Sequence, residues 1–189
     1  MPRSRLPALL PLLLLAACGG SAPTGPPPVA SDAPVVAVPS GSFTAVVQRV
    51  VDGDTFLAMV GGAGPAVRVR LLGVDTPETV KPNTPVACFG HAASALTTRL
   101  ITGVRVTAAF ESEHTDAYQR QLWDVWLPDG RFLAGLLAAS GTSRTLPYRP
   151  NIEHASELAA AESLARRERR GLWRACAETD AFPQLRGKR

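Results

Sequence analysis

SFTAVVQRVVDGDTFLAMVGGAGPAVRVRLLGV, residues 42–74, carries three β-rich runs divided by two turn signals. Residues 42–50 read as a first strand, Asp52-Gly53 as a tight turn and TFLAMV (55–60) as the returning strand. GGAGP (61–65) makes the second turn. AVRVRLLGV (66–74) then alternates, with Val67, Val69 and Leu71 on one face and Arg68, Arg70 and Leu72 on the other. The stretch is therefore expected to form a three-stranded meander.

Beyond it, residues 79–89 hold Pro82, Asn83 and Pro85 and read as a surface loop. HAASALTTRLIT (91–102) has helical composition, with Leu96 and Leu100 one turn apart. VRVTAAF (104–110) and RQLWDVWL (120–127) supply a fourth and a fifth strand, and FLAGLLAASG (132–141) a short helix ended by Gly141. Asn151 is a candidate cap for a last helix running through Arg170, with Glu162 and Arg166 paired on its exposed side. Trp123, Trp126 and Trp173 read as packing residues, and RRERR (166–170) as a solvated helix face. Together these elements predict a mainly β fold with α: a five-stranded OB-fold barrel packed with about three helices. That fold binds oligonucleotides; an SH3-like barrel is the competing topology.

The chain has 189 residues, enough for one modest domain with appendages, and its formal charge of +4 is too mild to identify a partner by itself. Residues 1–17 pair a basic start, Arg3 and Arg5, with an apolar run to Ala17, which is the pattern of a signal peptide. LAAC (15–18) resembles the bacterial lipobox, so Cys18 is the expected lipidation site, with a membrane as partner and the cell envelope as location. Without the anchor the chain would be secreted. Removing residues 1–17 leaves a net charge of about +2, so any nucleic-acid contact must rest on local placement. Residues 18–41 read as a flexible Gly/Pro/Ser-rich tether, 42–176 as the folded domain and 177–189 as a tail. Cys88 and Cys176 remain, 88 residues apart, and two readings stand for them: a bridge or two free thiols.

The charged residues sit at one end of the meander. Asp52 and Asp54 occupy the first turn, and Asp75 and Glu78 follow the third strand in RLLGVDTPE (70–78). The second strand runs antiparallel to the third, so Asp54 and Asp75 are expected at the same end of the sheet. Converging carboxylates need a cation or a shared proton. His91, His114 and His154 are far apart and no HExxH occurs, which argues against zinc and for calcium or magnesium. An EF-hand is excluded, because the twelfth position counted from Asp52 is Ala63. Arg70 leads directly into Asp75 and Glu78, and Arg120 stands at the edge of the fifth strand. A hard cation, a free carboxylate and two guanidiniums suit hydrolysis of a phosphodiester. The alternatives are an internal salt bridge for Arg70, a lone surface charge for Arg120, and a plain turn for Asp52-Gly53-Asp54. A non-catalytic OB-fold binding module and a structural envelope lipoprotein are the competing functions. Asp116 and Glu111 read as surface or loop-fixing groups.

VDGDT (51–55), RLLGVDTPE (70–78), FGHAAS (89–94), TDAYQR (115–120), YRPN (148–151) and GLW (171–173) occur in one order along the chain. In that combination the sequence resembles the staphylococcal (micrococcal) nuclease family. The resemblance implies an OB-fold and calcium-dependent cleavage of DNA and RNA, leaving 3′-phosphates; single strands are the expected preference and a monomer the expected state. It implies Asp54, Asp75 and the Thr76 carbonyl as calcium ligands with Asp52 behind them. It further implies Arg70, Glu78 and Arg120 as the catalytic trio, and Tyr118 and Tyr148 as substrate contacts. Ala117 and Gln119 depart from the family's lysine and glycine, and the loop 111–114 is a residue short. Leu146 replaces a stacking tyrosine, a change worth about 1–3 kcal/mol per base.

Overall fold

The structure, a computed structural model, describes residues 25–82 and 84–185. The expected signal peptide, the candidate lipidation site Cys18, the first part of the stretch read as tether, Asn83 and the end of the stretch read as tail lie outside the described residues.

Strand β1 (Phe43–Asp52) pairs antiparallel with β2 (Thr55–Val60), and β2 with β3 (Val67–Leu71), as the meander requires. Helix α1 (Gly90–Ile101) follows a loop, and then β5 (Arg105–Ala109) and β6 (Gln121–Trp126) close the barrel in the order β1-β2-β3-β6-β5. β6 runs parallel to β3 and antiparallel to β5, which pairs back onto β1. The parallel pairing of the third and fifth barrel strands, with α1 between the third and fourth, is the OB-fold topology; an SH3-like meander has no such pair. Helices α2 (Leu133–Ala139) and α3 (Ala155–Arg167) pack beside the barrel, and α4 (Leu172–Ala175), α5 (Glu178–Ala181) and a 3₁₀ turn (Pro183–Leu185) follow.

The core explains the closure. Trp123 is fully buried, with the rings of Phe43 and Phe56 edge-on to it at 5.1 and 6.2 Å. Trp126, on the other face of β6, packs on Phe132 beside α2. Its indole N–H donates to the Val36 carbonyl at 2.9 Å, so the stretch read as tether is docked over residues 25–36. Arg99 and Arg170 hold the same stretch through Pro27 and Asp32. A buried indole needs an acceptor, and a proline-rich extended chain offers free carbonyls.

The run 66–74 is not one strand. Gly73, at φ 76°, breaks it after Leu71, and the chain swings into a second two-stranded ladder, β4 (Val74–Asp75) with β7 (Arg144–Thr145). Leu158 of α3 presses against Gly73, leaving no room for a side chain there. The helix expected from Asn151 through Arg170 is α3, which starts at Ala155 and ends at Arg167. Asn151 is buried, and its amide accepts from and donates to the Glu113 backbone, both at 2.8 Å, instead of capping. Glu162 does pair with Arg166, but it is buried, and its second oxygen accepts from the Thr145 amide and hydroxyl. Arg166 also covers the Trp173 ring and Arg170 binds Asp32, so RRERR is partly engaged rather than solvated. Cys88 and Cys176 are joined by a disulfide; closing an 88-residue loop stabilises by about 4–5 kcal/mol in the chain-entropy view.

Asp124 is buried on β6 beside Glu111, Glu153 and His154. Burial, then the charge and hydrogen bond of Glu111 and the charge of Glu153, push it up to about 8. His154 Nε2 lies 3.8 Å from the Asp124 carboxylate. The folded chain therefore keeps a proton that the unfolded chain loses near pH 4, and stability falls as pH rises from about 4 to about 8. Asp124→Asn is expected to flatten that slope and to raise stability near pH 8 by on the order of a few kcal/mol at most. Urea midpoints across pH check it; parallel profiles for parent and variant would refute it.

Candidate active site

The turn between β1 and β2 is held from beneath. The buried hydroxyl of Thr97, on α1, donates to the Gly53 carbonyl at 2.7 Å. Gly53 lies so close to Thr76 that an added Cβ would stand 2.7 Å from its side chain. This contact brings the first turn against the chain after β4. The sequence reading did not single out Thr97; a β-branched hydroxyl in the middle of an apolar helix is the signal that could have found it. The β1–β2 register shifts between Val50 and Asp52, just before this turn.

Asp54, buried, is bonded on both oxygens. Oδ2 accepts from the Thr76 amide at 2.8 Å and its hydroxyl at 3.0 Å, while Oδ1 accepts from the Thr55 hydroxyl at 3.2 Å. The Arg70 guanidinium lies 3.3 Å from Asp54 Oδ1 and 3.7 Å from Asp75 Oδ1. One cation thus faces both acids, so the two carboxylates converge and Arg70 is an internal ion pair in this state. Burial and then the charge of Asp54 push Asp52 up to about 7, and the same two causes raise Asp75 against the pull of Arg70 and Arg144. The acids are crowded beyond what their arginines neutralise.

Arg120 joins this group through Thr55: its Nη1 donates to the Thr55 hydroxyl at 3.4 Å, and that hydroxyl donates to Asp54. Its other edge is gripped by Asp116, with Nε and Nη2 each 2.7 Å from Oδ2. Asp116 also accepts the Tyr118 and Arg120 amides, which shapes the loop 116–120. Burial pushes Asp116 up, but the Arg120 amide and side chain and the Tyr118 amide outweigh it and hold the carboxyl below its usual range. Gln119 sits at φ 61° in that loop, a conformation glycine adopts at lower cost.

Glu78 lies in the loop ahead of α1. Its Oε1 accepts the amides of Thr79, Val80 and Lys81 at 2.9, 2.9 and 3.1 Å, and its charge is felt at Asp52. Among the described residues no side chain bonds Oε2. Tyr118 is 79% exposed with Arg120 above its ring, and Tyr148, 38% exposed, bridges to Asn151; neither ring touches the acids. Leu146 is exposed as well. Arg144, the cross-strand partner of Asp75, was not anticipated; nothing in the local pattern of SRTLPY marks it.

Among the described residues no three His, Cys, Asp or Glu side chains are grouped to hold an ion unaided. Two carboxylates and backbone oxygen could do so with water completing the shell.

A model described as staphylococcal nuclease homologue matches residues 68–175. A thermonuclease of Staphylococcus intermedius is 42% identical over 128 residues, covering 68% of this chain and 74% of that one. One of Staphylococcus hyicus is 39% identical over 125 residues, covering 66% and 72%. Endonuclease YncB of Bacillus subtilis (strain 168) is 32% identical over 127 residues, covering 66% and 59%.

Proposed function

The chain belongs to the staphylococcal nuclease family of phosphodiester hydrolases, and from that membership we propose that it is an exported, calcium-dependent nuclease of DNA and RNA that leaves 3′-phosphates. The observation that carries the reading is the Arg70 guanidinium lying against both Asp54 and Asp75, with Arg120 linked to the same acids through Thr55.

Asp54, Asp75 and the Thr76 carbonyl would hold the ion, with Asp52 behind them. The donor set fits a hard cation. It is all oxygen, and the acids Asp52 and Asp75 are raised by burial and by Asp54, a cost that a divalent charge would relieve. When bound, calcium neutralises these acids and polarises a phosphoryl oxygen. With these acids neutralised, Arg70 would be available to the substrate.

The protein's own residues perform the rest. Glu78 accepts a proton from water as the water oxygen bonds to phosphorus. The bond to the 5′ oxygen breaks, and that oxygen takes its proton from solvent, because a guanidinium does not give one up. Arg70 and Arg120 donate hydrogen bonds to the phosphoryl oxygens, whose charge grows in the transition state. The exposure of Tyr118 and Tyr148 supports their role in contacting the substrate strand. Export and lipid attachment at Cys18 rest on residues 1–18, and the Cys88–Cys176 bridge supports an oxidising compartment.

Purified chain incubated with single-stranded DNA and calcium is expected to yield 3′-phosphate ends. Cleavage should stop with excess chelator and resume when calcium is restored. Cutting that ignores the chelator would remove the ion from this reading. Binding without cutting under any divalent ion would favour the non-catalytic OB-fold module.

A further inference from the structure

Asp75 is gripped from behind by a segment whose composition reads as a tail. On β7, Arg144 stands directly opposite Asp75 and donates to its Oδ2 from Nε at 2.9 Å and Nη2 at 2.8 Å. The guanidinium of Arg144 lies over the Phe182 ring, 4.7 Å from its centroid. Phe182 is 1% exposed and packs with Leu172 and Ala181. Two residues on, Gln184 Nε2 donates to the same Oδ2 at 3.3 Å. The segment is fastened at its start by the Cys88–Cys176 bridge and by the Cys88 amide donating to the Asp180 carbonyl at 3.1 Å.

All these donors converge on Oδ2, while Oδ1 faces Arg70 and, across it, Asp54. We propose that residues 177–185 are a working part of the metal framework: Phe182 seats Arg144, and Arg144 with Gln184 fixes Asp75 by Oδ2 so that Oδ1 stays turned toward Asp54. The proposal rests on the calcium reading above. Arg144, Phe182 and Gln184 are positioning residues, since they act through Asp75. A carboxylate held in its binding pose loses no rotamer freedom when the ion arrives. Partners behind a ligand are typically worth about 10–100-fold in metal affinity.

Arg144 also brings a positive charge near the ion, and that repulsion acts in the opposite direction. Variants that keep the charge separate the two effects. Arg144→Lys retains it but loses the planar fork and the stacking. Phe182→Ala retains it and removes the shelf, while Phe182→Tyr keeps the shelf.

The test is calorimetric titration of the full chain with calcium alone, beside thermal midpoints in chelator. Arg144→Lys and Phe182→Ala are expected to bind calcium about 10–100-fold more weakly. Phe182→Tyr should match the parent, and Gln184→Ala, on the surface, should show a smaller loss with an unchanged midpoint. If Phe182→Ala unfolds, Arg144→Lys carries the comparison. Parental affinity in both Arg144→Lys and Gln184→Ala would overturn the proposal while leaving the calcium site standing. A parent chain that takes up no calcium would overturn the site itself, and the proposal with it.

Discussion

Glutamine in place of Glu78 lowers the rate of phosphodiester cleavage by about 10²–10⁴-fold and leaves the thermal midpoint in chelator close to that of the parent. The proposed reading gives the carboxylate two separable tasks. Oε1 accepts three consecutive backbone amides and so shapes the loop ahead of α1. A glutamine carbonyl oxygen can accept the same three, so the loop keeps its form. What glutamine cannot do is take a proton from water, because its second terminal atom is an amide nitrogen. The loss should therefore appear in kcat, with KM for single-stranded DNA and calcium affinity little changed. A variant retaining most of its turnover would show that the carboxylate serves the loop alone, and the water would need another base.

The readability of this site in the sequence follows from how local each part is. Asp52, Asp54, Asp75 and Glu78 flank strands whose alternation is plain: Val69 and Leu71 are buried and Arg68 is exposed, as the pattern of 66–71 demands. The antiparallel pairing of β2 with β3 places Asp54 at the end of the sheet from which the chain runs on to Asp75. What escaped detection depends on contacts between segments far apart in the chain. Gly73 takes a positive φ beside Leu158 of α3, some eighty residues later. Asn151 looks like a helix cap, yet tertiary structure spends its amide on Glu113. Residues 25–36 dock through the buried indole of Trp126 on β6, and Phe182 is buried beside the bridged Cys176. None of these has a periodic signature. Composition reads a proline-rich stretch and a short polar terminus as unstructured because their few apolar residues follow no helical or strand period, although Val36 and Phe182 are buried against partners elsewhere.

Arg120→Lys should cost about 10²–10³ in kcat, the scale for losing one preorganised donor to a developing oxyanion, with a thermal midpoint near the parent's. The placement of Arg120 depends on its fork. Asp116 takes Nε and Nη2, and the remaining Nη1 is aimed at Thr55 beside Asp54. A lysine has one nitrogen for both jobs. It can pair with Asp116 or approach the phosphate, and Asp116, whose carboxyl is held firmly ionised, wins that competition. Asp116→Asn then gives an independent check on the geometry. Its amide oxygen still accepts the Tyr118 and Arg120 amides, so the loop persists, but the guanidinium loses its charged anchor. Turnover should fall by less than in Arg120→Lys, because the donor remains and only its aim is loosened. Combining the two should cost little more than Arg120→Lys alone, since both act through one guanidinium. Losses that simply multiply would mean that Asp116 and Arg120 work independently, and the path from Asp116 through Arg120 to the phosphate would have to be abandoned.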